Sequence, residues 1–325
     1  MTLERAAALR DRGRFDESEG LLVSALQADL EPDQARQARA ALADLRFEWS
    51  QTLSARGALE GSVRQLEAAL EIDRGDRPWQ AAEDLNEIGK AWTALGEPER
   101  AVNPHREALA IAQSGAVRDA PRPFSCVRSH ERTPWVEGDA LDGLANAERA
   151  RGRLPDALAL YQHAVTVWNV VGDPTGRSTA LTGLGLVRQD LGQFAHAASL
   201  HRQALALEAP HPVVRAIILN NLGNAQLGLR QLEAAAVSFY ESLRIYRDLE
   251  HRAGEGTALH NLGAYWEARS DRAKACESYA QALVASAEAD VRSGVAVTRR
   301  HLMRLLESSA ADDRSVQACR AALGQ

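Results

Sequence analysis

Residues Ala216 to Leu249 read AIILNNLGNAQLGLRQLEAAAVSFYESLRIYRDL. Two amphipathic segments flank a short break at Leu229–Leu232. In the first, Ile217, Ile218, Leu222 and Ala225 recur at helical spacing, and Gly223 stands beside Leu222. In the second, Ala235, Phe239, Leu243 and Tyr246 do the same. A small residue beside a leucine lets a neighbouring helix approach closely, and the later aromatic side chain fills the gap between the helices. The stretch therefore predicts a helix hairpin, which cannot bury its apolar face alone and must stack on copies of itself.

The copies are present. Downstream, Leu262-Gly263 precedes Ala275, Tyr279 and Ala282; upstream, Leu184-Gly185 precedes Gly192, Ala197, His201 and Ala204. Leu144-Ala145 leads to Gly152, Ala157, Tyr161 and Ala164, and Ile88-Gly89 leads to Trp92, Gly96, Ala101, His105 and Ala108. Trp49-Ser50 with Gly57, Ser62, Leu66 and Ala69 is a degraded copy, and Gly13, Ser18, Leu22 and Ala25 mark a first one. The small-slot residues Ala6, Ser50, Gly89, Ala145, Gly185, Gly223 and Gly263 lie 44, 39, 56, 40, 38 and 40 residues apart.

This pattern resembles the tetratricopeptide repeat family, whose signature is a Leu-Gly pair, an aromatic residue, and then Ala-x-x-x-aromatic. The resemblance runs from about Thr2 to Leu306. A spacing near 40, against the family's basic repeat of about 34, is similar to its longer-helix subclass, found in bacterial signalling regulators, kinesin light chains and Pins-type adaptors. The resemblance implies an all-α solenoid of about seven to eight helix hairpins wound into a right-handed superhelix.

In such an array each hairpin touches only its neighbours, so 325 residues need not mean several globular domains. The net charge of −6 argues against a large nucleic-acid footprint, and no nucleic-acid partner is expected. Lys90 and Lys274 are the only lysines among 38 basic residues; with abundant alanine, this composition points to a bacterial source. Cys126, Cys276 and Cys319 share no metal-ligand spacing and form no even set, which predicts unpaired thiols in a reducing compartment. The opening MTLERAAALRDRG carries charges where a signal peptide needs an apolar core, and no apolar run spans a membrane. A cytoplasmic location is expected.

Helices are predicted over Leu3–Arg10, Phe15–Ala28, Gln34–Ala55, Leu59–Ile72, Trp79–Leu95 and Glu99–Ala112, with DRGDRP at Asp73–Pro78 as a loop. Pro104 should kink the last of these or delay its start. The chain divides into N-terminal hairpins over 1–112, an irregular insertion over 113–137, and an array with capping helices over 138–325. The insertion carries Pro121, Pro123, Pro134, Phe124, Cys126, Trp135 and four arginines; it is either a solvated loop or a segment that folds over a groove. Nearby arginine could lower the pKa of Cys126. The C-terminal hairpins are expected at about 138–171, 175–208, 212–250 and 252–288, followed by helices over Val291–Leu306 and near Ser315–Leu323.

No enzyme motif is present. The chain has no phosphate loop, dinucleotide fingerprint, His-Glu-x-x-His or Gly-x-Ser-x-Gly, so no catalytic residue, metal ligand or cofactor is assigned. His105 and His201 occupy the slot that holds Tyr161, Phe239 and Tyr279 elsewhere, and read as packing residues. Cys276, beside Ala275, reads as a structural thiol.

The first helices of the hairpins should line a groove. Residues one turn on either side of each Leu-Gly pair would face it, among them Glu83, Asn86 and Lys90; Asp139, Asp142 and Asn146; Asn220, Asn221 and Asn224; Thr257, His260 and Asn261. A side-chain amide both donates and accepts, so asparagine suits the main chain of an extended peptide. By resemblance, the family's main-chain-gripping asparagines fall on Asn221, Asn224 and Asn261, while Asn220 stands where a carboxylate-binding lysine is found in chaperone-binding members. The expected partner is a protein or peptide held at Asn86, Lys90, Asn146, Asn220, Asn221, Asn224, His260 and Asn261. These asparagines could instead serve only to bond neighbouring helices. The other functional reading is a sensory module of a bacterial signalling or transcription-control system.

Overall fold

The computed structural model describes residues 2–114, 133–207, 211–289, 291–307 and 319–320. Fifteen helices and no strand lie among the described residues, and the chain forms two compact units, Met1–Gly176 and Arg177–Gln325. Each is a stack of hairpins, so the fold is an all-α solenoid.

In the first unit the pairs are α1 (Thr2–Arg10) with α2 (Phe15–Leu26), α3 (Pro32–Ala55) with α4 (Leu59–Asp76), α5 (Pro78–Ala94) with α6 (Pro98–Gln113), and α7 (Thr133–Ala150) with α8 (Leu154–Val171). Proline at the first turn starts α3, α5, α6 and α8, where a missing N–H costs nothing. Residues 115–132, with Cys126 and the four insertion arginines, lie outside the described residues. The helices on either side, α6 and α7, pack against each other. Helix α7 begins at Thr133, so the last residues of the expected irregular stretch are helical.

The second unit holds α9 (Pro174–Asp190) from Arg177 onward, α10 (Phe194–Leu205), α11 (Pro212–Gly228), α12 (Leu232–Asp248), α13 (Arg252–Ala268), α14 (Arg272–Glu288) and α15 (Arg292–Glu307). Side chains cap several starts: His251 Nδ1 accepts from Gly254 N at 3.0 Å, and Asp271 accepts from Lys274 N at 3.1 Å.

The small slots act as the spacing predicts. A Cβ built on Gly223 would lie 2.5 Å from Phe239 Cε1, and one on Gly263 the same distance from Tyr279 Cε1. Gly185 meets His201 in this way, and the His105 ring is clamped between Gly89 and Gly143. The rings are buried against helix backbone, and Tyr161, Phe239 and Tyr279 are among the most deeply buried large side chains.

Four expectations are corrected. Asp73–Pro78 is not a loop: α4 runs to Asp76 and α5 starts at Pro78, because buried Asp73 pairs with Arg77 at 3.3 Å and Arg77 also bonds the Ala40 carbonyl and Asp44. Helix α6 starts at Pro98 and runs through Pro104, so its start is not delayed. Ile217 is 43% exposed, since Ile218, Leu222 and Ala225 take the buried face and Ile217 falls with Asn221 and Asn224 on the other. Cys276 is not a free thiol: it is bonded to Cys319, with the Cα atoms 5.1 Å apart. Residues 319–320 are helical, and Cys319 packs with Tyr279, Leu302 and Leu305, which brings the second cysteine to α14. Cysteine usage therefore no longer argues for a reducing compartment. The rest of the expected final helix lies outside the described residues.

Candidate functional site

The first helices of successive hairpins lie side by side, α5 with α7 in one unit and α11 with α13 and α13 with α15 in the other. This puts the chosen residues on shared faces, but their side chains differ in what they are free to do.

On the face of the second unit, Asn220 is buried and its Oδ1 accepts from Asn261 Nδ2 at 3.0 Å. That bond ties α11 to α13, so both amides are largely engaged in packing. Asn221 accepts from Gln189 Nε2 at 3.0 Å through its main-chain oxygen, which leaves its amide unused by that bond. Asn221 and Asn224 are both half-buried, one turn apart, and neither side chain bonds to a described residue. His260 bonds Thr298 Oγ1 at 2.9 Å and packs against the rings of Tyr279 and His301. Burial, then the neighbouring His301, lower its pKa to about 4, against the pull of Glu267, so it is a neutral packing group at pH 7.

In the first unit, Asn86 is buried and donates to the Val136 carbonyl at 3.3 Å, with His105 Nδ1 on its other side. It too joins helices. Asn146 is exposed and accepts from Tyr161 Oη at 2.6 Å. Lys90 bridges Glu87 at 2.9 Å and Asp139 at 2.6 Å. Desolvation opposes its charge, but the two carboxylates outweigh this and hold its pKa above the ordinary lysine value.

The same unit contains a cleft of about 660 Å³ lined from α2, α3, α5 and α7. Five carboxylates reach it: Asp44, Glu48, Glu83, Glu87 and Asp139. Four half-buried rings join them, Phe15, Phe47, Trp79 and Trp135. Four of the five carboxylates are already paired within the chain: Asp44 with Arg77, Glu48 with Arg10 at 3.3 Å, and Glu87 and Asp139 with Lys90. Of these residues, Glu83, Asn86 and Asp139 are groove positions predicted from spacing. The rings were not foreseen as groove residues, although Trp135 stands one helical turn before Asp139 and so on its face.

Behind the cleft, Asp142 is buried and accepts from Trp168 Nε1 at 2.7 Å. Desolvation raises its pKa to about 8; the Trp168 bond and Lys90 pull it down, while Asp139 pushes it up. His105 and His201 go the other way. Burial lowers His105 to about 3, with Lys90 adding to the shift and Glu87 opposing it, and burial lowers His201 to about 4. Both are wholly buried, which fits packing rather than proton transfer.

A model of the tetratricopeptide repeat matches residues 137–207, which covers the hairpins α7/α8 and α9/α10. No curated protein matches the chain. Among solved structures, BtubC (BKLC) from P. vanneervenii is similar at a TM-score of 0.55 and 21% identity, covering 72% of this chain and 92% of that one. A signal transduction ATPase with numerous domains from Pyrococcus horikoshii, which has a tetratricopeptide repeat sensor, gives 0.61 and 14%, covering 90% of this chain and 43% of that one. A Rap protein complexed with Competence and Sporulation Factor gives 0.57 and 12%, covering 94% and 96%. At these identities the likeness is one of fold.

Proposed function

We propose that the chain, an all-α solenoid whose residues 137–207 match the tetratricopeptide repeat, is a non-enzymatic adaptor which holds an extended peptide or a partner helix against its first-helix faces. The observation that carries this reading is the pair Asn221 and Asn224: two half-buried amides one turn apart, on a shared face, with no side-chain bond to a described residue. An amide left without a protein partner at a partly dehydrated face gains by bonding a ligand main chain. Ile217, exposed on the same helix face, offers apolar contact beside them. A like-folded Rap protein was solved in complex with Competence and Sporulation Factor.

The test separates binding from folding. Immobilised wild type and an Asn221→Ala, Asn224→Ala variant are compared for the proteins each retains from lysate, and both are melted. The expected result is loss of specific retained proteins in the variant with an unchanged melting temperature. An identical retained set would remove these amides from the interface. Asn261→Ala is unsuitable here, because it would strip the Asn220 amide of its partner and lower stability by itself.

The second reading, a sensory module of a signalling or transcription-control system, draws on the sensor described for the Pyrococcus horikoshii protein. Specific DNA retention in a gel shift by the pure protein would favour it over the adaptor. No helix among the described residues is long and apolar enough to cross a membrane.

A further inference from the structure

We propose that the Cys276–Cys319 bond is a thiol–disulfide switch, opened by a dithiol reductant, that locks α15 in place. The bond stands where the earlier hairpins have a packed ring.

The repeat register shows the replacement. Phe239, Tyr279 and Cys319 follow one another at intervals of 40 residues, as do Gly223, Gly263 and Met303, and Leu222, Leu262 and Leu302. Phe239 closes over Gly223 and Tyr279 over Gly263, so in each of those hairpins a buried ring holds the two helices together. Cys319 takes the ring's place in the hairpin that α15 begins. It is buried and packs with Leu302 and Leu305 of α15 and with Tyr279. A cysteine side chain buries far less surface than a ring, and Met303, in the small slot, is 47% exposed instead of covered. The ring-on-glycine contact of the earlier hairpins is therefore missing here. What holds Cys319 instead is its bond to Cys276 on α14. Cys276 in turn stands where the two preceding hairpins have Ala198 and Ala236. Both cysteines thus depart from the repeat, and they do so at positions that meet. A packed ring holds whatever the redox state, whereas a disulfide follows the thiol balance around it.

In the exchange, a thiolate of the reductant attacks Cys319 Sγ and forms a mixed disulfide. The Cys276 sulfur leaves as a thiolate and takes a proton. The second thiol of the reductant then displaces the Cys319 sulfur, which is protonated in turn, and closes the reductant's own disulfide. Two electrons and two protons pass to the protein. Both cysteines are buried, so attack waits for a local opening of Cys319 from α15. Once reduced, Cys319 covers Leu302 and Leu305 only by its own small contact. Helix α15 also meets α13 and α14 through the bonds between His260 and Thr298, at 2.9 Å, and between Tyr279 Oη and His301, at 3.3 Å. Redox state therefore reaches the first-helix face.

The test uses the full chain with Cys126→Ser, which leaves only the two bonded cysteines, and reads backbone hydrogen exchange by mass spectrometry. Dithiothreitol, a small dithiol, is added without denaturant. The expected result is complete reduction, with α15 exchanging on the order of a hundredfold faster, the effect of losing a bond between cysteines 43 residues apart. Helices α11 and α12 should exchange as before, and oxidised dithiothreitol should restore the slow rate of α15. Cys319→Ser should show the fast rate in either reagent. Cys319→Tyr with Met303→Gly rebuilds a ring over glycine and should show the slow rate in both, which covers the case in which Cys319→Ser fails to fold. A bond that resists dithiothreitol in the native protein overturns the proposal. So does equal exchange of α15 in both redox states, or fast exchange in the Tyr–Gly variant. Each readout concerns the chain alone, so the switch stands or falls independently of the adaptor role.

Discussion

The two units use one repeat plan and give it different chemistry. In residues 1–176 the first-helix face carries carboxylates and aromatic rings around a cleft, and a carboxyl group, Asp142, is buried behind it. In residues 177–325 the corresponding face carries asparagines, and the aromatic slots hold Phe239 and Tyr279 closed over glycine. Slot residues hold the stack together and are constrained by packing, whereas face residues that bond no described neighbour, such as Asn221 and Asn224, can be changed with less cost to the fold. The two kinds of position should therefore respond differently to mutation.

The largest effect is expected at a slot. Gly223→Leu would drive a side chain into Phe239, whose ring carbons stand 2.5 and 2.6 Å from the position of a Cβ. The ring is fully buried and has nowhere to move, so the variant should lose about 3 kcal/mol or more, by the overpacking argument. Chemical denaturation checks this. Wild-type stability would mean that the ring and glycine are not in contact. Gly89→Leu, against His105, should fail similarly in the other unit, which would show that the slot rule is independent of the ring's chemistry.

Much of the fold could be read from these slots. Glycine or alanine beside leucine, followed by a ring, recurs where the hairpins lie, and most helix bounds fall within two residues of those predicted. The site was less legible. Phe47, Trp79 and Trp135 come from three different hairpins, and none stands in a repeat slot, so no single repeat shows that they converge. The asparagines were visible as a set, but sequence could not separate Asn86 and Asn220, which tie helices together, from Asn221 and Asn224, which do not. The Cys276–Cys319 bond was hidden for a similar reason. A separation of 43 residues says nothing of distance until Cys319 is seen to pack against α14.

The pH dependence should separate the units by sign. Asp142 has a folded pKa near 8, above its unfolded 3.8. The folded state thus holds the proton more tightly, and the stability of residues 1–176 should fall as pH rises from about 4 to 8. Asp142→Asn keeps an acceptor for Trp168 Nε1 and removes the titration, so it should stabilise at pH 7 by on the order of 2 kcal/mol. His201 has the opposite sign, with a folded pKa near 4 below its unfolded 6.5. Its contribution is complete above pH 6.5 and is lost as pH falls towards 4. His201→Phe, which copies the Phe239 slot, should flatten that loss by roughly 1–2 kcal/mol at pH 5. Melting curves of the variants between pH 4 and 9 measure both. His105, lowered to about 3, adds an acid-side loss to the first unit, so the alkaline limb is the part diagnostic of Asp142.

The smallest effect lies in the turns. Within the hairpins of residues 1–176 the turn residue is glycine at 13, 57, 96 and 152, each with positive φ. Among the described residues of the other unit only Gly192 keeps this; Arg230 and Ser270 take the same left-handed conformation, with φ of 60° and 62°. The hydrogen bonds are alike in both kinds. Gly192 N bonds Gln189 O and Gln193 N bonds Arg188 O, while Arg230 N bonds Leu227 O and Gln231 N bonds Gln226 O. The turn is thus set by the helix ends, and an L side chain there crowds its own backbone. Arg230→Gly should relieve about 1–2 kcal/mol of that crowding and give back part of it through the greater freedom of glycine in the unfolded chain. A net gain of roughly 0.5–1 kcal/mol is expected, with Gly152→Ala losing a similar amount in the other unit. If Arg230→Gly instead lowers the melting temperature, the arginine side chain makes a stabilising contact that outweighs the strain, and the turns of the two units are not equivalent.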